Sequence, residues 1–105
     1  MQDGQIPVDP ELRWISAVQE HVRKGTFDLI SNELVIEQIK GNVELHVYFR
    51  LLYTPSTAEK VAVRSAIRNF ARSATSVYVI HAVEFHEDCI RIIVYLKPQK
   101  NKKKR

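Results

Sequence analysis

The chain has 105 residues, 45% of them hydrophobic, and a formal net charge of +4. That length suits one domain, which buries about two-thirds of the surface its unfolded chain exposes. The apolar runs are too short to span a membrane. The single cysteine, Cys89, excludes an internal disulfide framework and fits a reducing, cytoplasmic setting. The first seven residues have neither a basic n-region nor an apolar h-region, so they do not read as a secretory leader.

The charge is unevenly spread. Lys97, Lys100, Lys102, Lys103, Lys104 and Arg105 form a run of six cations without an acid, leaving ten basic against twelve acidic residues elsewhere. The basic character therefore belongs to the C-terminal tail and to one helix face.

In chain order, residues 1–8 read as a flexible arm. Asp9 is a good N-cap, and Pro10 suits the first helical position. Leu12, Ile15, Val18 and Val22 recur near helical spacing, flanked by Trp14 and Ala17, and predict a helix over 10–24. Arg23 and Lys24 favour its C-terminal dipole, and Gly25 suits the left-handed C′ position. Phe27 to Ile30 reads as a short strand or an extended link, and Ser31-Asn32 as a bend.

Glu33 to Lys40 and Val43 to Tyr53 flank Gly41-Asn42, a two-residue hairpin loop with glycine first. Setting Lys40 opposite Val43 puts Leu34, Ile36, Leu45, Val47, Phe49 and Leu51 on one face. The other face then opposes Glu33 to Arg50, Glu37 to His46 and Val35 to Tyr48. Thr54-Pro55 ends the second strand.

Ser56 and Glu59 form a capping box that opens a second helix to about Ala74. Its buried stripe is Val63, Ala66, Ile67, Phe70, Ala71 and Ala74. A second hairpin, Val77 to Phe85 and Ile90 to Leu96, turns at Glu87-Asp88. In that register Phe85, Val83, Val79, His81, Ile90, Ile92, Val94 and Leu96 share the core face. Glu84 then opposes Arg91, Ala82 opposes Ile93, Ile80 opposes Tyr95 and Tyr78 opposes Lys97. Pro98 stops the strand, and residues 98–105 read as a disordered basic tail. The expected architecture is a single α+β domain over 9–97. It is a two-layer sandwich in the order α-β-β-α-β-β, with a four-stranded, mainly antiparallel sheet and two helices on one face.

Three features are candidates for function. Lys60, Arg64, Arg68 and Arg72 repeat every four residues, one ridge expected on the water side, roughly opposite the Phe70 stripe, with no interleaved acid beyond the capping Glu59. This is the pattern of a phosphate-contacting ridge, and its plain alternative is a solvated face. The basic tail raises affinity for any polyanion, and could equally be a nuclear-localisation-like patch, a membrane-surface contact or a solubility tail. The open sheet face is expected to show Val35, Tyr48, Tyr78, Ile80, Ala82, Ile93 and Tyr95. An apolar and aromatic patch of that size suits a second copy or a partner protein, and a base-stacking platform less well, because aliphatic side chains hold its centre.

No metal, cofactor or catalytic constellation is indicated. His81 and His86 point to opposite strand faces, Glu87 and Asp88 disfavour a thiolate at Cys89, and Gly4, Gly25 and Gly41 are too scattered for a phosphate loop. The expectation is a non-enzymatic, cytoplasmic homodimer that contacts DNA, RNA or another polyanion through the ridge and tail. The alternative is an interaction or scaffold subunit docking a partner through the sheet face, with its cations serving solubility only.

Overall fold

The computed structural model describes residues 10–98 apart from Phe27 and Asn42. The expected arm, the cap Asp9 and the tail cations from Lys100 onward lie outside the described residues. A 3-10 turn, Pro10–Leu12, leads into α1 (Arg13–Thr26); β1 (Ile30–Ile39), β2 (Glu44–Leu51), α2 (Thr57–Ala74), β3 (Tyr78–Phe85) and β4 (Cys89–Leu96) follow. The sheet order is β1-β2-β4-β3, with every neighbouring pair antiparallel. The expected α-β-β-α-β-β sandwich is what forms, with β1 and β3 at its edges. Among the described residues no helix is long and apolar enough to cross a membrane.

One core joins the layers. Ile15, Val18 and Val22 of α1 and Val63, Ile67 and Ala71 of α2 are buried with Leu45, Val47, Phe49, Ile90, Ile92 and Val94 of the central strands. Removing such side chains from water supplies the main drive for folding. Between the helices, the His21 ring stacks on Phe70 at 4.6 Å.

The capping box forms: Ser56 Oγ accepts from the Glu59 amide at 3.1 Å, and the Glu59 carboxylate accepts from the Ser56 amide at 2.8 Å. Glu59 also accepts from Tyr53 Oη at 2.8 Å. These bonds, led by the Ser56 amide, hold its carboxyl below the usual carboxylate range.

In the first hairpin the expected register holds from Leu34 opposite Phe49 to Ile39 opposite Glu44, and the Val43 amide donates to Lys40 O at 3.4 Å. Lys40 and Gly41 take left-handed φ values of 53° and 69°, and at Gly41 no side chain is strained by it. The loop's other residue, Asn42, is outside the described set.

Three expectations are corrected. Gly25 does not end the first helix, which continues through Thr26. Ser31-Asn32 is not a bend before the strand but a bulge within it: Ile30 opposes Leu51 and Leu34 opposes Phe49, so three residues face Arg50 alone. The buried Gln19 of α1 fastens this bulge, donating to Ser31 O at 3.2 Å and Glu33 O at 2.8 Å.

The third correction concerns β3. Its pairing with β4 runs as expected from Phe85 to Ala82, then shifts by one residue between Ala82 and Ile80, so that His81 is the extra residue. Every residue before the bulge changes face. Tyr78 and Ile80, expected on the open face, turn to the core: Tyr78 is 3% exposed and lies 5.9 Å from the Trp14 ring, and Ile80 packs against the buried cluster. Val79 and His81, expected in the core, are exposed. Tyr78 now opposes Leu96 and Ile80 opposes Val94.

Candidate functional site

The basic row on α2 is real but not uniformly on the water side. Each four-residue step advances about 40° around a helix, so the row drifts from the flank of the buried stripe toward the opposite side. Lys60, Arg64 and Arg68 are half-buried, and only Arg72 is fully exposed. The first two lie over Phe85 of β3, with Lys60 Nζ at 6.0 Å and Arg64 Cζ at 5.1 Å from the ring centre. Arg64 Nε donates to Val83 O at 3.4 Å, and Arg68 Nη1 donates to Ile80 O at 3.5 Å. Both contacts are long and therefore weak. They lay cationic side chains over the carbonyls of an edge strand, a placement that also discourages edge-to-edge pairing.

Among the described residues, none of the four cations pairs with a carboxylate. The ion pairs present join Arg23 to Glu20, Arg50 to Glu33, Arg91 to Glu84, His46 to Glu37 and Glu44, and His86 to Glu84. The row keeps its charge uncompensated.

The row and the root of the tail meet, which the linear sequence does not disclose. A cavity of about 150 Å³ opens where α2 hands over to β3. Its charged lining residues are Arg68, Arg72 and Lys97, and its apolar ones include Ala71, Val79 and Ile80. The corner is held by Thr75 Oγ, which accepts from the Val77 and Tyr78 amides at 3.1 and 3.3 Å. The Lys97 amide donates to Val77 O at 2.7 Å, fixing the backbone of this lysine beside the helix end. Five further cations follow Lys97 in the sequence.

The open sheet face has the opposite character. Val35, Tyr48, Ala82, Ile93 and Tyr95 lie there as expected, without Tyr78 and Ile80, and acids are threaded between them. Arg91 reaches one Glu84 oxygen from Nε at 2.9 Å and from a terminal nitrogen at 2.7 Å. His86 Nε2 is 3.0 Å from that oxygen. The bonds from His86 and Arg91 hold the Glu84 carboxyl below its ordinary value. His46 Nε2 is 2.8 Å from Glu44, and its Nδ1 is 3.8 Å from Glu37, which also accepts from Tyr48 Oη at 3.0 Å. His81 lies against the Tyr95 ring at 4.8 Å. This face is a mesh of internally satisfied charges, and the patch expected from alternation alone is broken up.

Burial first, then Asp88, pushes the Cys89 thiol above its ordinary value, away from nucleophilic chemistry. Among the described residues no group of three histidine, cysteine or acidic side chains could hold a metal ion. In comparisons with known proteins, the chain matches no family model, no curated protein and no solved structure.

Proposed function

We propose that this chain is a non-enzymatic binding protein that contacts nucleic acid, or a polyanion of similar charge density, along α2 and the Arg68–Arg72–Lys97 corner, with the lysine-rich tail adding to the contact. The observation that carries this reading is the separation of charge. The cations of α2 have no carboxylate partner among the described residues, whereas Glu33, Glu37, Glu44 and Glu84 gather on the sheet face and are paired there. A phosphate backbone meets cations free of carboxylates on the first surface and carboxylate-paired ones on the second. For the same reason base stacking on Tyr48 and Tyr95 is disfavoured, because the arginines beside them, Arg50 and Arg91, are already engaged by Glu33 and Glu84. Contacts of this kind position a strand and carry no base code, so the binding is nonspecific in sequence.

The test is titration of labelled mixed-sequence single-stranded DNA and RNA with the full chain at low ionic strength, read by fluorescence anisotropy. Both are expected to bind, and both to be released by salt. No detectable binding of either at low salt overturns the proposal.

The second reading is a protein-docking subunit, or a homodimer, using the sheet face. What favours it is exposed apolar surface, Val35 at 56% and Val79 at 46%, on a sheet whose helices cover one side only. Solution mass of the wild type and of Ile93→Arg decides the homodimer. A dimer that the substitution splits supports it, and a monomer in both removes it.

A further inference from the structure

We infer that the cavity lined by Arg68, Arg72 and Lys97 receives a terminal phosphate monoester, the phosphorylated end of a nucleic-acid strand lying along α2. This rests on the polyanion reading above and names what its corner recognises.

Charge number separates a strand's end from its interior. A backbone phosphodiester carries one negative charge, whereas a phosphate monoester carries about −1.5 to −2 at pH 7 and three strong acceptor oxygens. One lysine suffices for a diester. Here two arginines and a lysine line a single cavity, with no carboxylate paired to any of them among the described residues. Guanidinium donors match phosphate oxygens in pairs, and the ammonium adds a point charge.

The space also fits. A cavity of about 150 Å³ is on the order of ten times what one buried water requires. It holds a phosphate group, and Ala71, Val79 and Ile80 offer apolar contact to the attached sugar. Competition from the local backbone is weak: Val77 O is taken by the Lys97 amide, and Ile80 O accepts from Arg68 Nη1 only at a long 3.5 Å.

Position supplies the last element. Arg68 and Arg72 are the C-terminal members of the α2 row, so a strand tracking that row reaches the cavity where the row stops.

The experiment compares three forms of one short mixed-sequence oligonucleotide, bearing a 5′-phosphate, a 3′-phosphate or hydroxyls at both ends, each titrated with the full chain. At least one phosphorylated form is expected to bind about fivefold more tightly than the hydroxyl form, the gain of a modest charge-assisted contact. Arg72→Gln and Lys97→Gln are each expected to shrink that preference toward unity. Equal affinity for all three forms overturns the inference while leaving the polyanion reading in place, and no binding of any form overturns both. A free nucleoside monophosphate that abolishes the preference at concentrations near the oligonucleotide's own Kd also overturns it, because the cavity would then bind phosphate monoesters without help from the α2 row.

Discussion

Among the described residues Gln19 is the one buried polar side chain, and its place is set by two backbone carbonyls of the β1 bulge. At the bulge the Gln19 side-chain amide donates to both oxygens. Leaving such groups unpaired in a partly buried setting costs about 1–3 kcal/mol. Gln19→Leu, similar in volume and without donors, is expected to lower the unfolding free energy by about that amount, read as a lower urea midpoint with an unchanged m value. A stability equal to wild type means that water serves the bulge equally well. This contact could not be read from the chain, where Gln19 stands between Val18 and Glu20 as an ordinary polar helix residue and Ser31-Asn32 carries the composition of a turn.

Among the elements, β3 shows most clearly where alternation stops being informative. Val77, Tyr78, Val79 and Ile80 are four apolar residues in a row, so either face assignment buries two of them. Nothing in glycine or proline content marks the bulge at His81. The signal that was present is indirect: the unbroken register forces His81 into an apolar core, and a one-residue slip removes that conflict. The assignment is testable by a pair of substitutions. Tyr78→Ser is expected to cost on the order of 3 kcal/mol or more, as large-to-small changes in a core do. Tyr95→Ser, on the opposite side of the sheet, is expected to cost about 1 kcal/mol or less. Comparable costs at the two positions contradict the bulged register. The first hairpin and α2 were legible because independent signals agreed there: loop length with alternation in one, capping box with a 3.6-residue stripe in the other. The α2 cations were legible as a row, and its drift follows from helix geometry, but that Lys60 and Arg64 lie over Phe85 depends on which strand lies beside the helix.

For the whole molecule, charge is sorted between two surfaces, and each side has its own consequence. On the sheet face, Glu84 has a folded-state pKa below its ordinary value of 4.5, owing to His86 and Arg91. At the helix cap, Glu59 is lowered likewise by the Ser56 amide and Tyr53. A carboxyl whose pKa is depressed on folding contributes stability above its unfolded value, and loses it as pH falls through the folded one. The urea midpoint is therefore expected to be lower at about pH 3 than at about pH 6, and Glu84→Gln to reduce that difference. A midpoint that rises on acidification contradicts the assignment. On the helix side, the meeting of Lys97 with Arg68 and Arg72 is a product of the fold. Lys97 is far from both arginines in the chain, and only the turn from α2 into β3 and the return along β4 bring it to their cavity.

The salt dependence of polyanion binding tests the α2 surface most directly. With the full chain and a mixed-sequence DNA duplex, the slope of log K against log salt counts the phosphates neutralised, at about −0.9 per contact. Lys60 and Arg72 stand at the two ends of the row and donate none of its carbonyl hydrogen bonds, so the double variant Lys60→Gln/Arg72→Gln should keep its fold. It is expected to bind more weakly and to flatten the slope by about two. Binding that leaves affinity and slope unchanged in the variant would show that the helix cations do not touch the polyanion.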